Sequence, residues 1–249
     1  MKIAFDWDIF IRQRYGGISR YFYLLANNLD QGRCQSKIFA NFSKNEYIST
    51  NNHQIVNSLV NIKYPISSRV SSYFSGARMR KWRPDIVHET FYGSSHSLNG
   101  NCKRVITIHD MIHELNPEYF PLGDQTIRMK KKSIFNCDHI ICVSNSTRED
   151  LLNCYSISDK KVTVIHHGIS LSDVTSSPKK LPNKFILHVG KRGGYKNFIN
   201  FIRSYSLILE KRSDIFLVVF GGGGSSREEE VIINTLKLYN RVIFINGSD

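Results

Sequence analysis

Short runs of β-branched and aromatic residues alternate with stretches of helical period along most of the chain. That alternation predicts an α/β protein with parallel sheets, because strands joined by crossover helices must run the same way. The run KIAFD (2–6) predicts a first strand. After Tyr15-Gly16-Gly17, apolar residues recur at Ile18, Phe22, Leu25 and Leu29, a spacing that lines one face of a helix. KIFA (37–40) predicts a second strand, and the pattern of the polar stretch 41–61 assigns it neither helix nor strand nor loop. A helix is predicted over 71–81, strands at DIVH (85–88) and RVITIH (104–109), a helix over 128–136 and a strand at HIICV (139–143). Ser146 and Glu149 have the capping-box spacing of a helix running toward Tyr155, and VTVIH (162–166) predicts a further strand.

Residues 172–183 hold two prolines, three serines and two lysines with little apolar content, which predicts a linker between an N-terminal unit, 1–171, and a second unit, 184–249. The rhythm then restarts. FILHVG (185–190) predicts a strand, Phe198, Phe201, Ile202, Tyr205 and Leu209 one face of a helix, and FLVVFG (216–221) another strand. A second capping box, Ser226 with Glu229, opens a helix expected to reach Tyr239, and VIFI (242–245) predicts a last strand. Two Rossmann-like units facing each other across a cleft are the simplest reading of this order.

Charge narrows the class of ligand. The chain of 249 residues carries a net +13, and both units are basic, which favours anionic partners: nucleic acid, anionic lipid or a nucleotide diphosphate. Five scattered cysteines without a Cys-x-x-Cys pair read as thiols in a reducing compartment. Asp6 and Asp8 interrupt the N-terminal apolar run too early for a signal peptide, and no apolar run is long enough to span a bilayer, so a cytoplasmic protein is expected. The GxGxxG and GxxxxGK[ST] phosphate loops, the GxSxG elbow and the HExxH helix do not occur.

In open parallel sheets, ligands sit beyond the carboxyl ends of the strands, so residues following each strand carry the candidate chemistry. Gly16 and Gly17 let an anion approach the start of a helix, or simply make a tight turn. His109 and Asp110 end the RVITIH strand; a lone histidine is more often a structural hydrogen-bonding group, but a strand tip favours function. VGKRGGYKN (189–197) sets Gly190, Lys191, Arg192 and Lys196 between a strand and a helix. Such a fork of cationic donors suits a diphosphate leaving without a metal, against the plainer reading of a solvated basic loop. Gly221, Gly222 and the two glycines after them would let a nucleotide approach the backbone, or make a flexible turn. His166 and His167 alternate in direction and read as structural or cleft-lining rather than as shared metal ligands. The basic run IRMKKKS (127–133) reads as a solvated helix face, with a landing patch on anionic membrane as the alternative.

Taken in order, KIAFD with YGGISRYF (15–22), TIHDMIHE (107–114), ICVSNSTREDLL (141–152), VIHHGI (164–169), HVGKRGGYKN (188–197) and FLVVFGGGG (216–224) resemble glycosyltransferase family 4, whose fold is the two-domain arrangement called GT-B. The resemblance implies retaining transfer of a sugar from a nucleotide diphosphate donor, without a metal or other cofactor. The acceptor implied is a glycan or lipid-linked sugar of surface polysaccharide or O-antigen assembly; mannose is the sugar suggested by the style of YGGISRYF and GYKN. Carried over by residue, Gly16 and Gly17 meet donor phosphates and acceptor. His109 contacts the transferred sugar with Asp110 beside it, and Arg192 and Lys196 grip the diphosphate. Ser144 and Asn145 line the acceptor side. Family members continue past this length through further strands and helices, including two glutamates eight positions apart that hold ribose and sugar. The resemblance therefore implies a C-terminally truncated chain, with Asn246, Ser248 and Asp249 resembling a helix start. The contrasting reading is a non-catalytic nucleotide- or polyanion-binding module, although no nucleic-acid partner is expected.

Overall fold

A computed structural model describes residues 1–30, 34–41, 43, 45–49, 68–93, 102–169 and 181–245. All but the last three residues of the expected linker, most of the polar stretch 41–61 and the helix-start residues Asn246, Ser248 and Asp249 lie outside them. The chain divides into two compact units. The first is Met1–Pro117 with Pro121–Gly168, and the second is Glu118–Phe120 with Ile169–Asp249.

The first unit is a parallel sheet of six strands: β1 (Lys2–Phe5), β2 (Gln35–Ile38), β3 (Ile86–Glu89), β4 (Lys103–Ile108), β5 (His139–Cys142) and β6 (Val162–Val164), in the order β2-β1-β3-β4-β5-β6. Between them run α1 (Asp8–Arg12), α2 (Gly17–Asp30), α3 (Glu46–Ser49), α4 (Ser68–Trp82), α5 (Ile112–Leu115), α6 (Thr126–Asn136) and α7 (Asn145–Cys154). The expected apolar face of α2 forms: Phe22 and Ala26 are buried, and Ile18, Leu25 and Leu29 pack beside them against Ala4, Phe5 and Ile38. A second cluster joins Ile106, Ile108, Ile140 and Cys142 of β4 and β5 to Ile134 of α6 and Leu151 of α7.

Strand order reverses between β1 and β3, the position where such sheets open a crevice. A buried polar clamp holds that position. Asp6, fully buried after β1, accepts the backbone N–H of Thr90 at 2.9 Å and also the Thr90 hydroxyl, while Ile9 N–H of α1 donates to Thr90 Oγ1 at 3.2 Å. One carboxylate thereby fixes the turns after two adjacent strands.

Several local expectations shift. β2 begins two residues before KIFA. α7 is capped by Ser144, not by Ser146. Ser144 keeps extended backbone after the strand and its Oγ accepts Thr147 N–H at 3.0 Å, whereas Ser146 already lies inside the helix. The one-turn helices α1 and α5, both at strand tips, carry too little periodicity to be read beforehand.

The second unit is the parallel sheet β7 (Phe185–Val189), β8 (Phe216–Phe220) and β9 (Val242–Ile245), with α8 (Phe198–Lys211) and α9 (Arg227–Thr235). α9 stops four residues before Tyr239, where Lys237 turns to a φ of 56°. Phe198, Ile202 and Tyr205 of α8 and Ile233 of α9 pack on Leu217 and Val219, so both helices serve the same face. On the alternate positions Leu187 and Val189 remain 52% and 64% exposed.

Thr90→Val leaves the Asp6 carboxylate buried with fewer donors, so unfolding in urea should show a loss of about 1–3 kcal/mol. An unchanged midpoint would show that the clamp does not carry the rim of the sheet.

Candidate functional site

In the first unit the candidate residues gather on the strand tips. His109, one residue beyond β4, stacks on His167 with ring centroids 5.7 Å apart and planes 19° apart. Tyr21 of α2 lies edge-on to both rings, at 5.3 Å from His109 and 4.9 Å from His167. Phe22 meets His109 edge-on as well as His88, which is buried on β3. Burial first, and then the neighbouring His167, push the His109 imidazole down to about 4; the Asp110 carboxylate opposes this only in part. The ring is therefore neutral near pH 7. Its Nε2 is buried with no hydrogen-bond partner among the described residues.

The tip itself is held from behind. Lys130 of α6, nearly inaccessible at 1%, donates to the Asp110 carbonyl at 3.0 Å and to Glu114 Oε2 at 2.7 Å. Tyr155 donates to the other oxygen of Glu114 at 3.0 Å. Within the run IRMKKKS, Arg128, Lys131 and Lys132 are exposed as expected, but Lys130 is not: its charge is spent inside, fixing the turn that carries His109 and Asp110. Asp110 turns its carboxylate to the N–H of Ile112 at 3.2 Å, opening α5. Ser144 is occupied in capping α7 and bonds at 2.9 Å to Thr147, whose hydroxyl reaches the His109 carbonyl at 3.5 Å. Asn145 is the first, exposed residue of that helix.

Gly16 and Gly17 open α2 one turn ahead of Tyr21. A Cβ on Gly16 would fall 2.2 Å from Gln13 Oε1, the far end of a flexible side chain that can swing aside, and a Cβ on Gly17 would meet open space, so neither position demands glycine on steric grounds. The same Gln13 oxygen accepts Ser19 N–H in the first turn of α2 at 3.3 Å, so a neutral side chain occupies one of the donors that an anion would use.

In the second unit the strand tips carry glycine turns. Gly190 follows β7 at a φ of 102°, and Gly221, Gly222 and Gly223 follow β8 at 80°, 73° and 80°, all in the left-handed region that favours glycine. A Cβ on Gly222 would lie 2.8 Å from the Gly190 carbonyl oxygen and 2.9 Å from Arg192 Nη1, so the two turns are in close packing. Arg192 is buried rather than displayed. Its Nε donates to Glu229 Oε1 at 2.8 Å, Nη1 to the carbonyls of Gly221 at 2.8 Å and Gly223 at 3.3 Å, and Nη2 to that of Gly224 at 2.5 Å. The guanidinium also lies over the rings of Phe198 and Phe244, at 5.7 and 5.2 Å. Lys191 and Lys196 are exposed and enter no ion pair among the described residues; Lys196 lies 4.9 Å from the Tyr195 ring, at the end of the turn that leads into α8.

The structure thus brings His109, Asp110, Ser144 and the helix opened by Gly16–Gly17 into one connected set, and Gly190, Arg192, Gly221 and Gly222 into another. Among the described residues no three His, Cys, Asp or Glu side chains converge on a common point, and no helix is long and apolar enough to cross a membrane. Gln13 leaves no signal in the sequence; Tyr21 and Lys130 appear there only inside the runs YGGISRYF and IRMKKKS, and His167, read as structural or cleft-lining, stacks on His109.

Comparison with known proteins gives this geometry a lineage. The profile of Glycosyltransferase Family 4 matches residues 15–173, and that of Glycosyl transferases group 1 matches 172–249. The chain is 29% identical over 133 residues to the O-antigen chain mannosyltransferase RfbU of Salmonella typhimurium, covering 44% of this chain and 36% of that protein. It is 32% identical over 115 residues to N-acetylgalactosamine-N,N'-diacetylbacillosaminyl-diphospho-undecaprenol 4-alpha-N-acetylgalactosaminyltransferase of Campylobacter jejuni, covering 45% of this chain and 30% of that one. These matches span about a third of either relative. Among solved structures, the apo form of the lipopolysaccharide outer core galactosyltransferase WaaB superposes over the whole chain and 69% of its own, with a TM-score of 0.60 at 17% identity. A UDP-N-acetylglucosamine 2-epimerase described as putative, from Listeria monocytogenes, does so with 0.58 at 14%, again over the whole chain and 69% of its own. Transferases and an epimerase share this fold, so the fold alone does not select the reaction. The family profile covers more than half of the chain and shows the family: the chain belongs to glycosyltransferase family 4, with the GT-B fold.

Proposed function

We propose that the protein acts as a retaining glycosyltransferase, moving a hexose from a nucleotide diphosphate to a glycan or lipid-linked acceptor in surface polysaccharide assembly. The observation that carries this reading is the desolvated strand-tip imidazole of His109 with its unpartnered Nε2, within a chain tiled by two glycosyltransferase profiles. A buried ring nitrogen without a partner suits a sugar hydroxyl, which can donate or accept. A neutral ring also adds no repulsion to positive charge growing at the anomeric carbon. In the proposed step the anomeric C–O bond to the diphosphate breaks and its electron pair leaves on phosphate. The acceptor oxygen bonds to the same face of the carbon and gives up its proton to the departing phosphate.

In this reading the donor diphosphate is assigned to the second unit. Lys191 and Lys196 are exposed cations beside glycine turns with accessible backbone, a donor set that neutralises a leaving diphosphate without a metal. The sugar and the acceptor follow the relatives by analogy. Mannose is named for the Salmonella relative, and a diphospho-undecaprenol acceptor for the Campylobacter one.

With GDP-mannose or UDP-sugars as donors, His109→Ala should lower transfer or donor hydrolysis about 100-fold or more, on the scale of losing one preorganised polar group at a reacting centre. Lys196→Ala should cost about tenfold, the loss of one charge-assisted contact to phosphate. Unchanged turnover in His109→Ala, together with tight and salt-sensitive binding to nucleic acid, would instead favour a polyanion-binding module.

The pH profile is a separate check. Because the folded imidazole titrates near 4 and not at the ordinary 6.5, activity should show no His109 inflection between pH 6 and 8. The unfolded chain binds that proton first, so stability should fall as pH drops from about 6.5 toward 4, by at most about 1.4 kcal/mol per pH unit for each such histidine. His88, pushed down to about 3 chiefly by burial, adds to the same trend. An inflection near 6.5 that disappears in His109→Ala would show a solvated ring.

A further inference from the structure

Arg192 is the residue whose sequence context points most directly at phosphate, yet its donors are committed within the protein. Four of the five N–H groups of a guanidinium are engaged: one on Glu229, two on the carbonyls of Gly221 and Gly223, and one on that of Gly224. Side chains of Arg192 and Glu229 are only 5% and 8% exposed. Two aromatic rings flank the cation. Releasing it toward a ligand would break a buried ion pair and strand Glu229 in a poorly solvated place.

Glu229 is equally committed. Its Oε1 holds Arg192, while Oε2 accepts Ser226 N–H at 2.7 Å and its own N–H donates to Ser226 Oγ at 3.2 Å, a complete capping box. One carboxylate therefore locks the start of α9 and, through Arg192, three carbonyls of the glycine run, those of Gly221, Gly223 and Gly224. Three successive residues at positive φ have no intrinsic reason to keep one conformation, because glycine is the most permissive backbone unit. The arginine supplies that reason: with the carbonyls drawn to the guanidinium, the turn is held in a single shape.

We propose that Glu229 and Arg192 are positioning residues: they form an internal clasp that fixes the Gly221–Gly224 turn as the backbone element that meets the donor diphosphate, and Arg192 is not itself a phosphate ligand. The donor part of this inference rests on the glycosyltransferase reading; the clasp itself does not. It assigns direct phosphate contact to the exposed backbone of Gly222–Gly224, the Gly221 N–H being held by the Ile245 carbonyl at 3.0 Å, and to the exposed Lys191 and Lys196.

The two roles for Arg192 predict opposite signs in one variant. Glu229→Gln keeps one acceptor oxygen for the Ser226 N–H of the capping box and turns its amide NH2 toward Arg192 Nε, so both the charge and the hydrogen bond that hold the arginine are removed. If Arg192 were a phosphate ligand held back by Glu229, releasing it would tighten the binding of UDP or GDP. Under the clasp, Glu229→Gln loosens the turn, and binding weakens about tenfold, the effect of one charged hydrogen bond. Arg192→Lys keeps the charge but cannot reach four acceptors, so it should weaken binding at least as much. Gly222→Ala, with its Cβ driven against the Gly190 carbonyl, should behave likewise with both charged residues intact.

Amide NMR of the whole chain supplies the readout that does not need a nucleotide. Resonances of Gly221–Gly224 should shift or broaden in Glu229→Gln and Arg192→Lys while those of the β8 core, Leu217 to Val219, stay in place. Unmoved glycine amides, or tighter nucleotide binding in Glu229→Gln, would overturn the proposal. If the unmodified chain bound neither nucleotide, the donor assignment would fall with the proposed function, and the glycine amides would still decide the clasp.

Discussion

A parallel strand can begin only after the chain has been carried back to the starting edge of the sheet, so every turn that follows a strand falls on the same rim. That constraint organises both units. It sets Asp6, Thr90, His109 and Ser144 on one rim of the first sheet and Gly190 and Gly221 on one rim of the second, although these residues are far apart in sequence. The rims themselves are rigid because polar groups behind them are buried in pairs: Asp6 with Thr90, Lys130 with Glu114, Arg192 with Glu229. Each pair secures a turn whose backbone has no ladder of its own.

The strongly basic composition divides into two populations with different physics. Lys130 and Arg192 are buried, hydrogen-bonded within the protein and work on the backbone next to them; Lys191, Lys196, Arg128, Lys131 and Lys132 are exposed and contribute a field. The ionisable group at the first rim goes the other way. His109 is stripped of solvent and kept neutral among Tyr21, Phe22 and His167, where a charged ring would have little to compensate it. The first unit thus presents a neutral polar ring at its rim, and the second presents exposed cations.

Much of the fold is legible in the sequence because strand and helix differ in period. The apolar face of α2 and that of α8 both form on the residues their spacing indicates, and the Ser226–Glu229 box caps α9 as written. Helix ends are less legible. Ser144 precedes α7 and Ser146 is its second residue, and the choice of cap depends on which one keeps extended backbone after β5, a property of the strand and not of the serine. The site is legible as positions but not as partners. His109 and Arg192 stand out by place, whereas their neighbours Tyr21, His167 and Glu229 come from elements distant in sequence and meet them only when the sheets form. Spacing equally gives no warning that Lys130, in a run of three lysines, is the one that turns inward.

The account turns on strand-tip backbone, and not general surface charge, being what meets a nucleotide diphosphate. Amide chemical-shift mapping with UDP and GDP at about one and about three times physiological ionic strength tests that most directly. The account predicts perturbations concentrated at residues 190–196 and 221–224 that survive the added salt. Shifts spread instead over the exposed basic face of α6 and erased by salt, or no shifts at all, would contradict it.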